Sequence, residues 1–130
     1  MEKVNYKFEQ LQKASARLDE ALAMELPNPL IKSDAVIQRF EFTTELFWKF
    51  LKELLKFHRV DFTSTPRDVI RTAKSSGFLS EDDRWVSLIE DRNITSHTYN
   101  DEQAMIIYNK IKDEYSGMFR EFIEDYARTR

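Results

Sequence analysis

The sequence contains no cysteine, two glycines, three prolines and two histidines in 130 residues. Without cysteine there is no disulfide scaffold, no thiolate zinc site and no thiol nucleophile, and two imidazoles are too few for a His-rich metal site within one chain. So few glycines disfavour an all-β sandwich, whose tight turns consume them. Long apolar runs are missing as well. Nothing approaches the roughly 18 to 20 uncharged residues of a membrane helix, and the opening MEKVNYKFEQ has no apolar segment of the kind a secretory signal needs. The expectation is a single cytoplasmic domain over residues 1–130 with no membrane contact.

A net positive charge is also lacking. The formal charge of -3 argues against a dedicated nucleic-acid coat, since phosphate binding rests on Lys and Arg. Within that balance, residues 49–74 hold seven basic groups against three acidic ones, so the middle of an acidic chain carries a local positive block. Solvated helix faces account for such a block as readily as a phosphate-attracting surface does.

What the chain does have is helical periodicity and helix caps. Val4, Phe8, Leu11, Leu18 and Leu22 line one face of a helix from about Asn5 to Glu25, which Pro27-Asn28-Pro29 is expected to stop. A second helix, Ser33 to Phe57, carries two adjacent apolar seams, one from Ile37 to Leu54 and one through Val36, Thr43, Phe50 and Phe57. A surface helix needs one stripe of about 100°, so the excess points either to a central bundle position or to a second subunit. Thr65 with Pro66 and Asp68 opens a short helix that Gly77 ends, and Ser80 followed by Glu81, Asp82 and Asp83 repeats the device before Trp85, Leu88 and Ile89. Asn100 with Gln103 caps a last helix to about Tyr126, striped by Ala104, Tyr108, Ile111, Tyr115, Met118 and Phe122. The predicted fold is all-α, an antiparallel up-and-down bundle of about five helices, three long and two short. No phosphate-binding glycine loop and no metal-ligand spacing of carboxylates is present.

Chemistry concentrates in residues 91–101, DRNITSHTYND. Arg92, His97 and Tyr99 bring a permanent cation, a group titrating near neutrality and a phenol within eight residues. On one continuous helix Arg92 and His97 would stand about 140° apart. A helix ending between them, at Ile94-Thr95-Ser96, would let His97 and Tyr99 fold back beside Arg92. Such a pair suits phosphodiester cleavage, His97 taking a proton from a ribose 2′-hydroxyl and Arg92 holding charge on the phosphate. An arginine closing a helix beside a structural histidine fits the same spacing. His58, beside Arg59 after Phe57, reads as a helix-end cap.

Ile37-Gln38-Arg39-Phe40-Glu41-Phe42-Thr43, Trp48-Lys49, Thr65-Pro66-Arg67, Trp85 and Arg92-Asn93-Ile94-Thr95-Ser96-His97-Thr98-Tyr99-Asn100 resemble, in order and over nearly the whole chain, the nucleotidyltransferase substrate-binding family, a branch of the HEPN superfamily. The resemblance implies a helical bundle that forms a homodimer, with motif residues of both subunits in one cleft. It also implies a toxin, a ribonuclease without a metal or other cofactor. Arg92 and His97 would be catalytic, and Asn93 and Asn100 would support the motif. The implied partner is a minimal nucleotidyltransferase antitoxin that silences the toxin by AMPylation of Tyr99. A two-fold axis would supply the second histidine that acid-base cleavage of RNA calls for. An alternative within the family is a non-catalytic subunit presenting substrate to a separate nucleotidyltransferase, and outside it a helical adaptor.

The composition yields one expected outcome directly. Any cleavage of RNA by this protein should persist in excess EDTA, because the chain has no Cys, two well-separated His and no clustered carboxylates. Activity lost in chelator and restored by magnesium would place the chemistry elsewhere.

Overall fold

The structure, a computed structural model, describes residues 1–97 and 100–130. Among them there is no strand. The helices are α1 (Glu2–Ala23), α2 (Pro29–Phe57), α3 (Pro66–Ser75), α4 (Arg84–Thr95), α5 (Asp101–Lys110) and α6 (Ser116–Thr129), and a π-helical turn, Ile111–Tyr115, joins α5 to α6 in one unbroken rod. Counted as rods this is the expected bundle of five, three long and two short.

Side-chain pairs fix the topology. Thr43 Oγ1 bonds the Ala14 carbonyl at 3.3 Å while Phe8 meets Phe50, so α1 and α2 run antiparallel. Glu45 to Arg92 and Phe47 to Trp85 make α4 antiparallel to α2. Trp85 to Phe122 and Asp91 to Lys110 return the last rod antiparallel to α4. Those four rods form the up-and-down bundle, and short α3 lies against α2 and α4.

Helix α2 sits at the centre. Both of its seams are buried within the chain, from Val36 and Ile37 through Phe40, Thr43, Thr44, Phe47, Phe50, Leu51 and Leu54, and only Phe57 of the expected set is exposed. Its wide apolar face is therefore accounted for by neighbours of the same chain. Phe47 is the hub, with ring centroids 4.9 Å from Trp85, 5.5 Å from Phe119 and 5.1 Å from Phe122. Edge-to-face and offset pairs of this kind add to the hydrophobic gain of burying the rings.

Two boundaries and one core position differ from the sequence reading, each for a local reason. Pro29 starts α2 rather than stopping α1: Asn28 accepts the Leu30 amide at 2.9 Å, and proline at the first helical position costs no hydrogen bond. Ser80 is not the cap of α4. Its hydroxyl accepts the Trp85 indole N–H at 3.0 Å, which burying the indole requires, and α4 begins at Arg84 after Asp82 has accepted the Arg84 amide. Glu81, Asp82 and Asp83 thus precede the first turn. In the last rod Ile107 replaces the half-buried Tyr108 in the core, since helical spacing allows either position between Ala104 and Ile111. The Asn100–Gln103 capping box forms as expected, with Asn100 Oδ1 accepting the Gln103 amide at 2.8 Å.

The π turn serves a buried polar cluster. Tyr115 donates to Asp91 Oδ2 at 2.5 Å, and Lys110 Nζ lies 2.6 Å from the same oxygen. Tyr115 is 1% exposed and stacks on Phe40 at 5.5 Å. Burial, and then the bond to Asp91, pushes the Tyr115 phenol well above its ordinary range, so it stays a donor at any working pH.

Two helices end in the same Schellman motif. At α2 the Val60 amide bonds Leu55 and that of Arg59 bonds Lys56; at α3 Phe78 bonds Ala73 and Gly77 bonds Lys74. The left-handed residue is Gly77 (φ 83°) at α3 but Arg59 (φ 56°) at α2. His58 is the C-cap of α2, the helix-end position expected of it, and its ring packs 4.8 Å from Phe78. Arg59→Gly should therefore raise stability by about 1 kcal/mol and Gly77→Ala lower it by about 1 kcal/mol, since no contact within 4 Å complicates the added methyl. Urea unfolding midpoints check both.

Candidate functional site

Helix α4 ends at Thr95, between Arg92 and His97. The last turn is closed by side chains and amides together: Thr95 Oγ1 and the Ser96 amide both donate to the Arg92 carbonyl, Ser96 Oγ to that of Asn93, and the His97 amide to that of Ile94. The β-branched and hydroxyl residues of the motif thus satisfy carbonyls that a helix end leaves open. His97 follows the turn and is exposed, as is Asn93, and Asn100 is committed to capping α5. Thr98 and Tyr99 lie outside the described residues.

Arg92 points across to α2. Its Nη2 lies 2.7 Å from Glu45 Oε2, its Nη1 is 3.4 Å from Asn93 Oδ1, and its Nε is buried without a partner among the described residues. No hydrogen bond joins the side chains of Arg92 and His97 among the described residues. Glu45 is held from its other side by Trp48 Nε1 at 3.1 Å and Lys49 Nζ at 3.2 Å. The Trp48-Lys49 pair singled out in the sequence therefore acts through Glu45 on Arg92.

The sequence reading gave no role to Glu45, nor to Glu41 beyond its place in the Ile37–Thr43 stretch. They stand one helical turn apart on α2, so their side chains face the same neighbour; the signal available was the 41, 45, 49 spacing of two carboxylates and a lysine. Burial raises the Glu41 carboxyl above its ordinary 4.5, more than the Thr95 hydroxyl and the Arg92 charge lower it. At Glu45 burial also pushes upward but is outweighed by hydrogen bonds from Trp48 and Lys49 and by the charges of Arg92 and Lys49, so its carboxyl falls below 4.5. Asp91, buried one residue before Arg92 and bound by Tyr115 and Lys110, ties the same stretch of α4 to the last rod. Among the described residues no three His, Asp or Glu side chains converge as metal ligands would.

The family described as nucleotidyltransferase substrate binding protein like matches residues 6–128. The chain belongs to it. A protein of known crystal structure from Thermus thermophilus is 34% identical, with a TM-score of 0.76 over 88% of this chain and 97% of that one. A probable ribonuclease HepT of Haemophilus influenzae is 37% identical over 81 residues, 59% of this chain and 56% of the relative, so the alignment spans little more than half of that protein. Two toxin-antitoxin crystal structures, one with AMP-PNP and one of an MntA-HpeT mutant, align over the full chain with TM-scores of 0.80 and 0.81. At 14% and 15% identity their likeness is one of fold. In this family member the motif arginine is thus a half-buried cation on a carboxylate shelf of α2, with the motif histidine at the open end of α4.

The carboxylates give opposite pH signatures. Glu41, raised in the fold, costs stability as pH climbs from 4.5 through its raised value, so Glu41→Gln should gain on the native protein over that range. Glu45, lowered, stabilises above 4.5 and loses that contribution as pH falls through its folded value. Glu45→Gln should be weaker at pH 7 and converge with the native protein in acid. Both groups are part exposed, so each effect should stay within about 1 kcal/mol in urea melts between pH 3 and 7.

Proposed function

We propose that this protein is the toxin of a toxin-antitoxin pair, a metal-independent ribonuclease acting as a cytoplasmic homodimer and silenced by a minimal nucleotidyltransferase that AMPylates Tyr99. The observation that supports it most is the break in α4. It leaves His97 exposed and Arg92 half-buried at one end of the bundle, in a chain with which a probable ribonuclease aligns over 81 residues. In the reaction His97 removes the 2′-hydroxyl proton, and the 2′-oxygen attacks the adjacent phosphorus. The 5′-oxygen leaves and takes up a proton, giving a 2′,3′-cyclic phosphate. Arg92 stabilises the phosphorane oxygens. The second protonated group is the partner's histidine. Exposed Ile94 (43%) and Ile106 (55%), on α4 and α5, supply apolar surface for that pairing.

Silencing follows from charge. The nucleotidyltransferase joins the Tyr99 oxygen to the α-phosphorus of ATP with loss of pyrophosphate. The added phosphodiester is an anion that competes with RNA for Arg92. The family's own description favours a second reading, a non-catalytic subunit that presents a substrate to the nucleotidyltransferase.

His97→Ala should abolish RNA cleavage and growth arrest at unchanged stability. Tyr99→Phe should remain a toxic ribonuclease that the enzymatically active partner no longer silences, and mass spectrometry after incubation with partner and ATP should find AMP on Tyr99 of the native protein. A native protein that neither cleaves RNA nor arrests growth would move the assignment to the presenting subunit. Light scattering at tens of micromolar should give the dimer mass; a monomer would remove the composite site.

A further inference from the structure

Asp91 and Arg92 are neighbours on α4, so their side chains leave the helix about 100° apart. Arg92 crosses to Glu45 on α2, while Asp91 crosses to the last rod, where its Oδ2 lies 2.5 Å from Tyr115 Oη and 2.6 Å from Lys110 Nζ. Two grips from two directions fix how α4 is turned about its own axis at the end that bears the motif. The two are not equivalent. A phosphate held by Arg92 displaces the half-buried Glu45 grip, whereas Asp91 and Tyr115 are buried and their bond is not open to that exchange.

The Asp91 grip interrupts regular structure. Lys110 and Tyr115 are five residues apart, and on an α-helix they would stand about 140° around the axis from each other. The π turn Ile111–Tyr115 closes that angle and sets both on Asp91; such turns are rare and frequently lie at functional sites. Stability alone does not call for the cluster, because replacing a buried ion pair by apolar side chains is commonly neutral or stabilising, and Tyr115 already packs its ring on Phe40. Hydrogen bonds to one oxygen fix a direction, which apolar contacts do not.

We propose that Asp91, clamped by Tyr115 and Lys110, is a positioning residue for RNA cleavage, holding the last turn of α4 in register while Arg92 exchanges Glu45 for the phosphate. The role rests on the ribonuclease reading above. Asp91 touches no substrate: it acts through Arg92, whose planar fork is productive in one orientation only.

The test is cleavage of a short fluorogenic RNA by the full chain and by Tyr115→Phe, Lys110→Met and Lys110→Arg, each also in an Arg92→Lys background, with circular dichroism checking the fold of every variant. Tyr115→Phe and Lys110→Met should each lower kcat about tenfold and leave KM within about twofold. Lys110→Arg keeps the ion pair and should stay within about twofold of the native rate. A lysine in place of Arg92 is a point charge on a flexible stem that needs no fixed orientation. In that background Tyr115→Phe should cost less than about twofold in single-turnover rate. Losses of equal size in both backgrounds would make the cluster a general brace of the fold and overturn the proposal. So would a raised KM at unchanged kcat, which would mean that Lys110 itself contacts RNA. Native cleavage that neither Tyr115→Phe nor Lys110→Met slows would remove the positioning role alone. A native chain that cleaves no RNA would remove the ribonuclease reading and this role with it.

Discussion

Phe47 holds the molecule together in a way that the charged residues depend on. Its ring meets α4 through Trp85 and α6 through Phe119 and Phe122. Two residues before it on the same helix is Glu45, which reaches Arg92 on the same α4. Close packing tolerates little slack, so the rings set the spacing of α2 and α4, and the spacing sets the 2.7 Å contact between carboxylate and guanidinium. An ion pair this exposed could not position two helices by itself.

That pair is a competitive arrangement. Among the described residues Arg92 has one strong anionic partner, and Glu45 has three cationic or donor partners in Arg92, Trp48 and Lys49. Under the proposed function, a phosphate that takes Arg92 would leave Glu45 still bound by the other two, and the exchange would strand no carboxylate in a half-buried place. Nearby Glu41 lacks such support, and burial raises its carboxyl accordingly.

The sequence disclosed the rods, the capping box and the break in α4 because each is written locally, in periodicity, in Asn100 with Gln103, and in Ile94-Thr95-Ser96. It also disclosed the motif residues, but not what they touch. Arg92 finds Glu45 across 47 positions and Asp91 finds Tyr115 across 24, and such pairings follow from packing that no local pattern encodes. Ser80 shows the same limit from the other side. A serine before three acids has the form of a cap, and only the need of a buried indole for an acceptor decides otherwise.

The π turn at Ile111–Tyr115 carries one residue more per turn than the α-helix on either side of it. It lets Lys110 and Tyr115 converge on one oxygen of Asp91 while Phe119 and Phe122 still face Phe47. A member of the same fold with a plain helix here would be one residue shorter without lacking any element. Aligned by sequence alone, the two chains would fall out of step midway along the last rod, with core positions of one set against surface positions of the other. The apparent gap would lie inside a helix, where insertions are least expected, and it would mark the point at which the arginine-bearing helix is moored to the end of the chain.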